Sequence, residues 1–278
     1  MRTKTTILSA VALAAGLASA SAQVYSANIV GYANVKITGS SAYTMIANPL
    51  LGAVGSNPTN GILEVIPTLV GGETLLNWTG SGYNIYNYNA GAQAGGFPSD
   101  WTDGGGVPIP GRVYNATADL YFAPQEPQMP QGKGFFLQNP NPSYTNTFVG
   151  TVVKSNTVPI PIAGSSAYTM LGAVAPIGGN STGVLPFLAI PLQGGETALL
   201  WTGSGYYVYN YNAGAQAGGF PSDWTDGGGV PIVGRIYNAT ADLYFAPTTN
   251  GPPVAVGSGF FLQNPNATYN WTQSLTVQ

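Results

Sequence analysis

The sequence predicts an all-β fold built from two tandem copies of one domain. Short segments rich in Val, Ile and Tyr alternate with Gly, Asn, Pro and Ser, and no window after residue 22 has helical periodicity. A long stretch of sequence occurs twice. The chain has 278 residues, of which 44% are hydrophobic, which is enough to form two hydrophobic cores. We therefore expect each copy to be a β-sandwich or small β-barrel with long Gly-rich loops.

Six segments of the first copy carry the strand pattern. They are rich in β-branched and aromatic residues and are bounded by turn formers. These segments are Tyr25–Ile37, Tyr43–Ile46, Tyr83–Tyr88, Leu120–Ala123, Phe135–Gln138 and Phe148–Val153.

The repeat sets the expected domain boundaries. Trp78–Pro124 recurs almost letter for letter as Trp201–Pro247. We assign residues 23–150 to the first β domain and residues 151–278 to a linker and the second. The linker, Thr151–Ile162, has no counterpart in the first copy, and we expect the two copies to fold separately. Two shorter matches flank the long one, Ser40–Met45 with Ser165–Met170 and Gly134–Pro140 with Gly259–Pro265.

Residues 1–22 have the pattern of a signal peptide. Arg2 and Lys4 precede an apolar stretch too short to span a bilayer, and Ala20–Ala22 fits a cleavage site before Gln23. We expect a secreted protein, extracellular or at the cell surface, with the periplasm as the alternative. No later segment predicts a transmembrane helix. The absence of cysteine means that no disulfide stabilises the chain.

Composition excludes several functions. Removal of residues 1–22 leaves 5 of the 7 basic residues against 10 acidic ones, a formal charge of −5, which disfavours nucleic acid as a partner. The chain has no histidine, so Ser-His-Asp and Cys-His sites and His-based zinc sites are excluded. The glycine runs do not lie between a strand and a helix, which argues against phosphate binding. We expect no cofactor, no metal and no catalysis.

The repeated acidic residues leave two alternatives open. Paired carboxylates could hydrolyse glycosidic bonds, and Asp100 with Asp103 could bind calcium. We expect turns at Glu73 and Asp103 and ion pairs of Arg112 with Asp119 and of Arg235 with Asp242 instead. The repeated acids are Glu73/Glu196, Asp100/Asp223, Asp103/Asp226 and Asp119/Asp242.

An aromatic stripe provides the candidate ligand-binding residues. Ile85 is replaced conservatively by Val208, as in a core, so we expect the neighbouring tyrosines on the outer face of the strand. The Gly-rich loop Asn89–Pro108 and its twin Asn212–Pro231 follow this strand. Phe97 and Trp101, with Phe220 and Trp224, either pack these loops onto the tyrosines or expose the indoles to a ligand. The candidate ligand-binding residues are Tyr86, Tyr88, Trp101, Tyr207, Tyr209, Tyr211 and Trp224.

Three short motifs resemble a family of secreted repeat proteins from verrucomicrobial-type environmental bacteria. They are Gln23–Val35, Met45–Leu50 and the Gly-x-Gly-Phe-Phe-x-x-Asn-Pro run at Gly132–Pro140. The resemblance implies no activity, cofactor or catalytic residue. The second copy departs from the motifs, with Leu171–Val174 where the first has Ile46–Pro49.

These observations predict a secreted structural or adhesive protein of the cell surface or extracellular matrix. Low charge, duplication and the absence of catalytic groups favour it, with self-association as the expected interaction. A pair of carbohydrate-binding modules that use exposed Tyr and Trp, with surface glycans as partners, is the alternative. A glycoside-active enzyme comes third.

Overall fold

A computed structural model describes residues 30–52, 60–153, 159–177, 186–215, 222–247 and 251–273. The expected signal peptide and the expected start at Gln23 lie outside these residues. Strands dominate both halves of the chain. The first half contains β1 (Val30–Ile37), β2 (Ala42–Ala47), β3 (Leu51–Gly52), α1 (Ile62–Val65), β4 (Thr74–Trp78), β5 (Tyr83–Tyr88), a 3₁₀ turn (Ala92–Gly95), β6 (Trp101–Asp103), β7 (Val113–Asn115), β8 (Leu120–Phe122), β9 (Gly134–Asn139) and β10 (Tyr144–Thr151).

The second half follows a similar strand order, with a 3₁₀ turn where the first half has α1 and with no counterpart of β3 among the described residues. It contains β11 (Ile160–Ile162), β12 (Ala167–Gly172), a 3₁₀ turn (Pro186–Ala189), β13 (Thr197–Trp201), β14 (Tyr206–Tyr211), β15 (Trp224–Asp226), β16 (Ile236–Asn238), β17 (Leu243–Phe245), β18 (Gly259–Asn264) and β19 (Tyr269–Trp271).

Each half contributes one seven-stranded antiparallel sheet. The strand order is β2-β9-β4-β5-β6-β8-β7 in the first half and β12-β18-β13-β14-β15-β17-β16 in the second. The two orders correspond strand by strand. Tight turns connect β4 to β5 and β7 to β8, and Gly80, with φ of 104°, supplies the left-handed residue of the turn between β4 and β5. The all-β prediction is confirmed.

A smaller sheet packs against each large one. β1, β10 and β3 form it in the first half, and β11 and β19 in the second. β1 alternates exposed and buried residues, so Val35 and Ile37 face the large sheet. There they join Leu75, Phe135 and Phe148 in one apolar cluster, and an equivalent cluster fills the second half.

The halves meet at an apolar junction, formed where β2 and β9 face β12 and β18. Met45 and Phe136 pack there against Met170 and Phe261. The hydrogen bonds across the junction are reciprocal. Trp78 Nε1 donates to the Tyr168 carbonyl, and Trp201 Nε1 donates to the Tyr43 carbonyl, each at 2.9 Å. The halves are therefore related by an approximate two-fold axis, and separate folding of the copies stays a prediction.

One sequence-based expectation about the loops is wrong. The Gly-rich segment Asn89–Pro108 is not one continuous loop, because β6 lies inside it and pairs with β5. β15 divides the twin segment in the same way. A three-residue strand among glycines has too little periodicity to be recognised from sequence. Within the described residues, no helix has the length and hydropathy needed to cross a membrane.

Candidate functional site

The tyrosines of β5 face the opposite way from the prediction. Tyr88 is buried and Tyr86 half-buried, and both pack against the core of the first half. Ile85 lies on the other face, where its side chain covers the glycine turn that begins at Gly104. A β-branched residue fits that turn, so its conservative replacement does not indicate a core position.

The same correction applies to β14. Tyr209 is buried, whereas Tyr207 and Tyr211 are half-buried and pack against the second core. Burial raises the pKa of Tyr209 to about 12, with smaller contributions from Tyr207 and Asp226. The pKa of Tyr211 is also raised, first by desolvation. These phenols therefore stay neutral at physiological pH and act as packing groups.

Trp101 and Trp224 are core residues. Their exposed fractions are 0% and 3%, so neither indole face is open to a ligand. The Trp101 ring lies 4.9 Å from that of Tyr88, and the Trp224 ring lies 5.1 Å from that of Tyr211. The predicted packing role of Trp101 is confirmed. The ligand-binding prediction required exposed side chains. This requirement is not met by four of the candidate residues, which are buried: Tyr88, Trp101, Tyr209 and Trp224.

Ser99 holds Trp101 in place. Its hydroxyl accepts from the Trp101 backbone N–H at 3.3 Å and donates to the Ala123 carbonyl at 2.8 Å. Phe97 does not reach the tyrosines, because its ring stacks on Phe122 at 4.6 Å. Phe220, its twin, lies outside the described residues.

The buried glutamates stabilise a turn, as predicted. Both are fully buried. Glu73 accepts hydrogen bonds from the backbone N–H groups of Val70 and Gly71 at 3.0 and 2.8 Å and from the Asn141 amide at 3.3 Å. Glu196 makes the equivalent bonds in the second half. The oxygens thus have structural partners, which disfavours a general acid–base role.

The predicted partners of the two arginines are wrong. Arg112 pairs with Asp103 at 2.5 Å, and Arg235 pairs with Asp226 at 2.6 Å. Asp119 instead accepts a hydrogen bond from the Tyr114 hydroxyl at 2.7 Å. This bond raises the pKa of Tyr114. Proximity in sequence favoured Asp119, but the strand pairing brings Asp103 to the arginine.

Asp103→Asn is expected to destabilise the protein more than Asp119→Asn. Asp103 also accepts from the Ile109 N–H at 2.9 Å, so its carboxylate fixes a loop as well as the arginine. We expect a loss of roughly 1 kcal/mol for Asp103→Asn and a smaller loss for Asp119→Asn, since exposed pairs contribute little. Urea unfolding of both variants measures the difference. Equal losses would show that the ion pair and loop contact of Asp103 contribute no more than the Tyr114–Asp119 hydrogen bond.

The structure brings no further acidic side chain to the calcium site that Asp100 and Asp103 could have formed, within the residues it describes. Asp100 accepts from the Gln93 backbone N–H, and Asp103 is occupied by Arg112 and Ile109. Over the described residues, no group of three or more acidic side chains is placed to hold a metal ion.

Comparisons with protein-family models, curated proteins and solved structures gave no match.

Two twin clefts flank the junction, and the sequence did not indicate them. One, of about 360 Å³, is lined by Tyr43, Trp201 and Thr202. The other, of about 290 Å³, is lined by the equivalent Tyr168, Trp78 and by Thr79. Of the five tryptophans, Trp101, Trp224 and Trp271 are buried, whereas Trp78 and Trp201 are partly buried and line these clefts. Both tryptophans lie in the repeated Trp-Thr-Gly-Ser-Gly segment, which is visible in the sequence. The clefts form only where the two halves pair, so the segment alone does not indicate them.

A second feature lies at the other end of each large sheet. We call the β7–β8 pair (residues 113–122) and the β16–β17 pair (residues 236–245) the outer hairpins. Each carries four large apolar side chains that are 37–50% exposed. Arg112 lies over the Tyr121 ring at 3.9 Å, which leaves little net charge beside the apolar groups. The exposed side chains are Val113, Tyr114, Leu120 and Tyr121, and Ile236, Tyr237, Leu243 and Tyr244.

Proposed function

We propose that this protein is a non-catalytic structural or adhesive protein of the cell surface or extracellular matrix, which assembles through its outer hairpins. The observation that carries the proposal is the presence of two equivalent free sheet edges. Within the described strands, β7 and β16 each pair on one side only. An unpaired edge presents backbone N–H and C=O groups that can pair with another strand.

The side chains of these edges favour a second copy of the chain as the partner. Natural edge strands are protected by charged residues, proline, bulges or very short length. β7 has the sequence Val-Tyr-Asn and β16 has Ile-Tyr-Asn, so neither carries a charge. Only 6% of all residues are charged, and long-range repulsion between copies is therefore weak. One edge in each half gives the molecule two attachment points, which is sufficient for a chain of molecules.

Lysine at both edges is expected to abolish self-association. Val113→Lys and Ile236→Lys combined place a charge on each edge strand, where pairing with another copy would bring like charges together. Sedimentation velocity over a rising concentration series measures the effect. Wild-type protein should shift to larger species and the double variant should stay monomeric.

Val149→Lys provides the matched control. Val149 is 47% exposed on β10, so the substitution adds one lysine, as at each edge, to an apolar surface position away from the hairpins. The control should associate as wild type does. Wild-type protein that stays monomeric at every concentration would refute the proposed assembly.

The twin clefts favour glycan binding as a second candidate. Indole and phenol rings stack on sugar faces, and the threonine hydroxyls at the cleft walls can exchange hydrogen bonds with sugar hydroxyls. A glycan array followed by tryptophan-fluorescence titration tests this candidate. A ligand bound at a stoichiometry of two per chain supports it, and no binding on the array argues against it.

Localisation and domain structure complete the proposal. We propose that residues 1–22 direct export and are removed, and that each half is a β-sandwich domain whose core lies between its large and small sheets. The buried clusters that join both sheets support the second statement. Intact mass of the exported protein should place its start at Gln23, and a retained Met1 would contradict export.

A further inference from the structure

One pair of equivalent positions at the junction differs between the halves. Ala47 ends β2, and Gly172 ends β12 at the corresponding place. The backbone N–H of Ala47 donates to the Gly257 carbonyl at 2.8 Å, and that of Gly172 donates to the equivalent Gly132 carbonyl at 3.1 Å. The two positions thus have the same backbone environment and face each other across the two-fold axis.

There is room for only one methyl group between them. A Cβ atom added at Gly172 would lie 2.0 Å from the Cβ of Ala47, far inside van der Waals contact. Gly172 is not in the left-handed region, so its backbone conformation does not require glycine. The glycine is required by the neighbouring Ala47 and not by a turn.

The rest of the axis is also filled. A Cβ added at Gly134 would lie 2.7 Å from the Leu171 carbonyl oxygen, and one added at Gly259 would lie 2.9 Å from that of Ile46. The strands cannot separate locally to accept two methyl groups without losing these close backbone contacts and the packing of Phe136 on Phe261.

We infer that the junction face of the first half is shaped to accept the second half and to exclude the first half of another copy. Pairing of two first halves would place alanine opposite alanine at this point, which reproduces the 2.0 Å overlap. Pairing of a first with a second half places alanine opposite glycine, which fits. The junction face of the first half therefore selects the second half through the methyl group of Ala47, which clashes when two first halves pair.

This selectivity goes beyond the proposed assembly, and it concerns a different surface. The two junction faces pair with each other within one chain, because the linked halves have a high effective concentration for one another. Alanine at position 47 prevents first halves of different copies from competing for one another. The outer hairpins are then left as the surfaces through which copies meet, and each molecule keeps two ends.

The four combinations of residues at these positions can be made in the full-length chain. Gly172→Ala recreates the alanine pair of two first halves, and Ala47→Gly recreates the glycine pair of two second halves. The double variant Ala47→Gly/Gly172→Ala reverses the order, and its new Cβ would lie about 3.4 Å from the Cα at position 47, an acceptable contact. Thermal unfolding compares all four proteins under identical conditions.

We expect Gly172→Ala to lower Tm by roughly 5 °C or more, because the overlap forces strand movement. Ala47→Gly should lower it by less, and the double variant should melt within about 2 °C of wild type. Two results would overturn the inference. Gly172→Ala melting with wild type would show that two methyl groups fit. A double variant as unstable as Gly172→Ala would show that the glycine is needed for another reason.

Discussion

Trp101→Ala is expected to reduce the free energy of unfolding by roughly 3–5 kcal/mol. The indole is fully buried and lies against Tyr88, and it holds β6 to the core of the first half. Alanine would leave a large cavity beneath glycine-rich turns, whose ordering depends on buried aromatic area. Urea unfolding measures the loss.

Two variants control for this result. Trp101→Phe should retain much of the stability, because Nε1 of Trp101 has no hydrogen-bond partner in the described part of the chain and only packing is reduced. Trp224→Ala should cost as much as Trp101→Ala, since Trp224 occupies the equivalent position. Hydrogen exchange should show lost protection around β5 and β6 in Trp101→Ala while β14 and β15 stay protected. If Trp101→Ala were as stable as wild type, the indole would not be what holds the glycine-rich turns to the core.

The sequence predicted the strand content well because strands have a local signal. β1, β2, β5, β8, β9 and β10 overlap the predicted segments, whereas the short strands β3, β6 and β7 and the strand β4 were not predicted. Period-two alternation and turn residues depend only on neighbouring positions. The all-β part of the predicted fold class is confirmed for the same reason.

The faces of those strands could not be predicted with equal success. Whether Ile85 or Tyr86 points inward depends on which surface the small sheet covers, and β1 and β10 are distant in sequence from β5. The Arg112–Asp103 ion pair was missed for the same reason, because the pairing of distant strands determines it and the separation along the sequence does not. Long-range contacts decide all of these features.

The junction was missed for a further reason. Leu76, Trp78 and Tyr83 pack against the apolar cluster that joins the two halves. A repeat suggests two similar units, but nothing in one copy shows that its outer face pairs with the other. The difference between Ala47 and Gly172 was visible in the sequence as a departure between the copies. Its steric meaning appears only when the two residues are placed opposite each other.

Phe136→Ala is expected to destabilise both halves, with a loss of roughly 3–5 kcal/mol. Phe136 is buried at the junction, where its ring makes an edge-to-face contact with Trp201 of the other half at 5.3 Å. Because it packs on both large sheets, hydrogen exchange should report lost protection in β9 and in β13. Protection lost in the first half alone would show that the junction does not couple the halves.

A double-mutant cycle separates this junction effect from damage to one core. Phe136 and Phe261 have ring centroids 6.4 Å apart, so the second truncation removes contacts that the first has already lost. The loss for Phe136→Ala/Phe261→Ala should fall short of the sum of the single losses by roughly 0.5–3 kcal/mol. Trp101 and Trp224 lie in separate clusters, and their losses should add within about 0.5 kcal/mol. Additive losses at both pairs would mean that the halves are stabilised independently and that the junction contributes little to the stability of either.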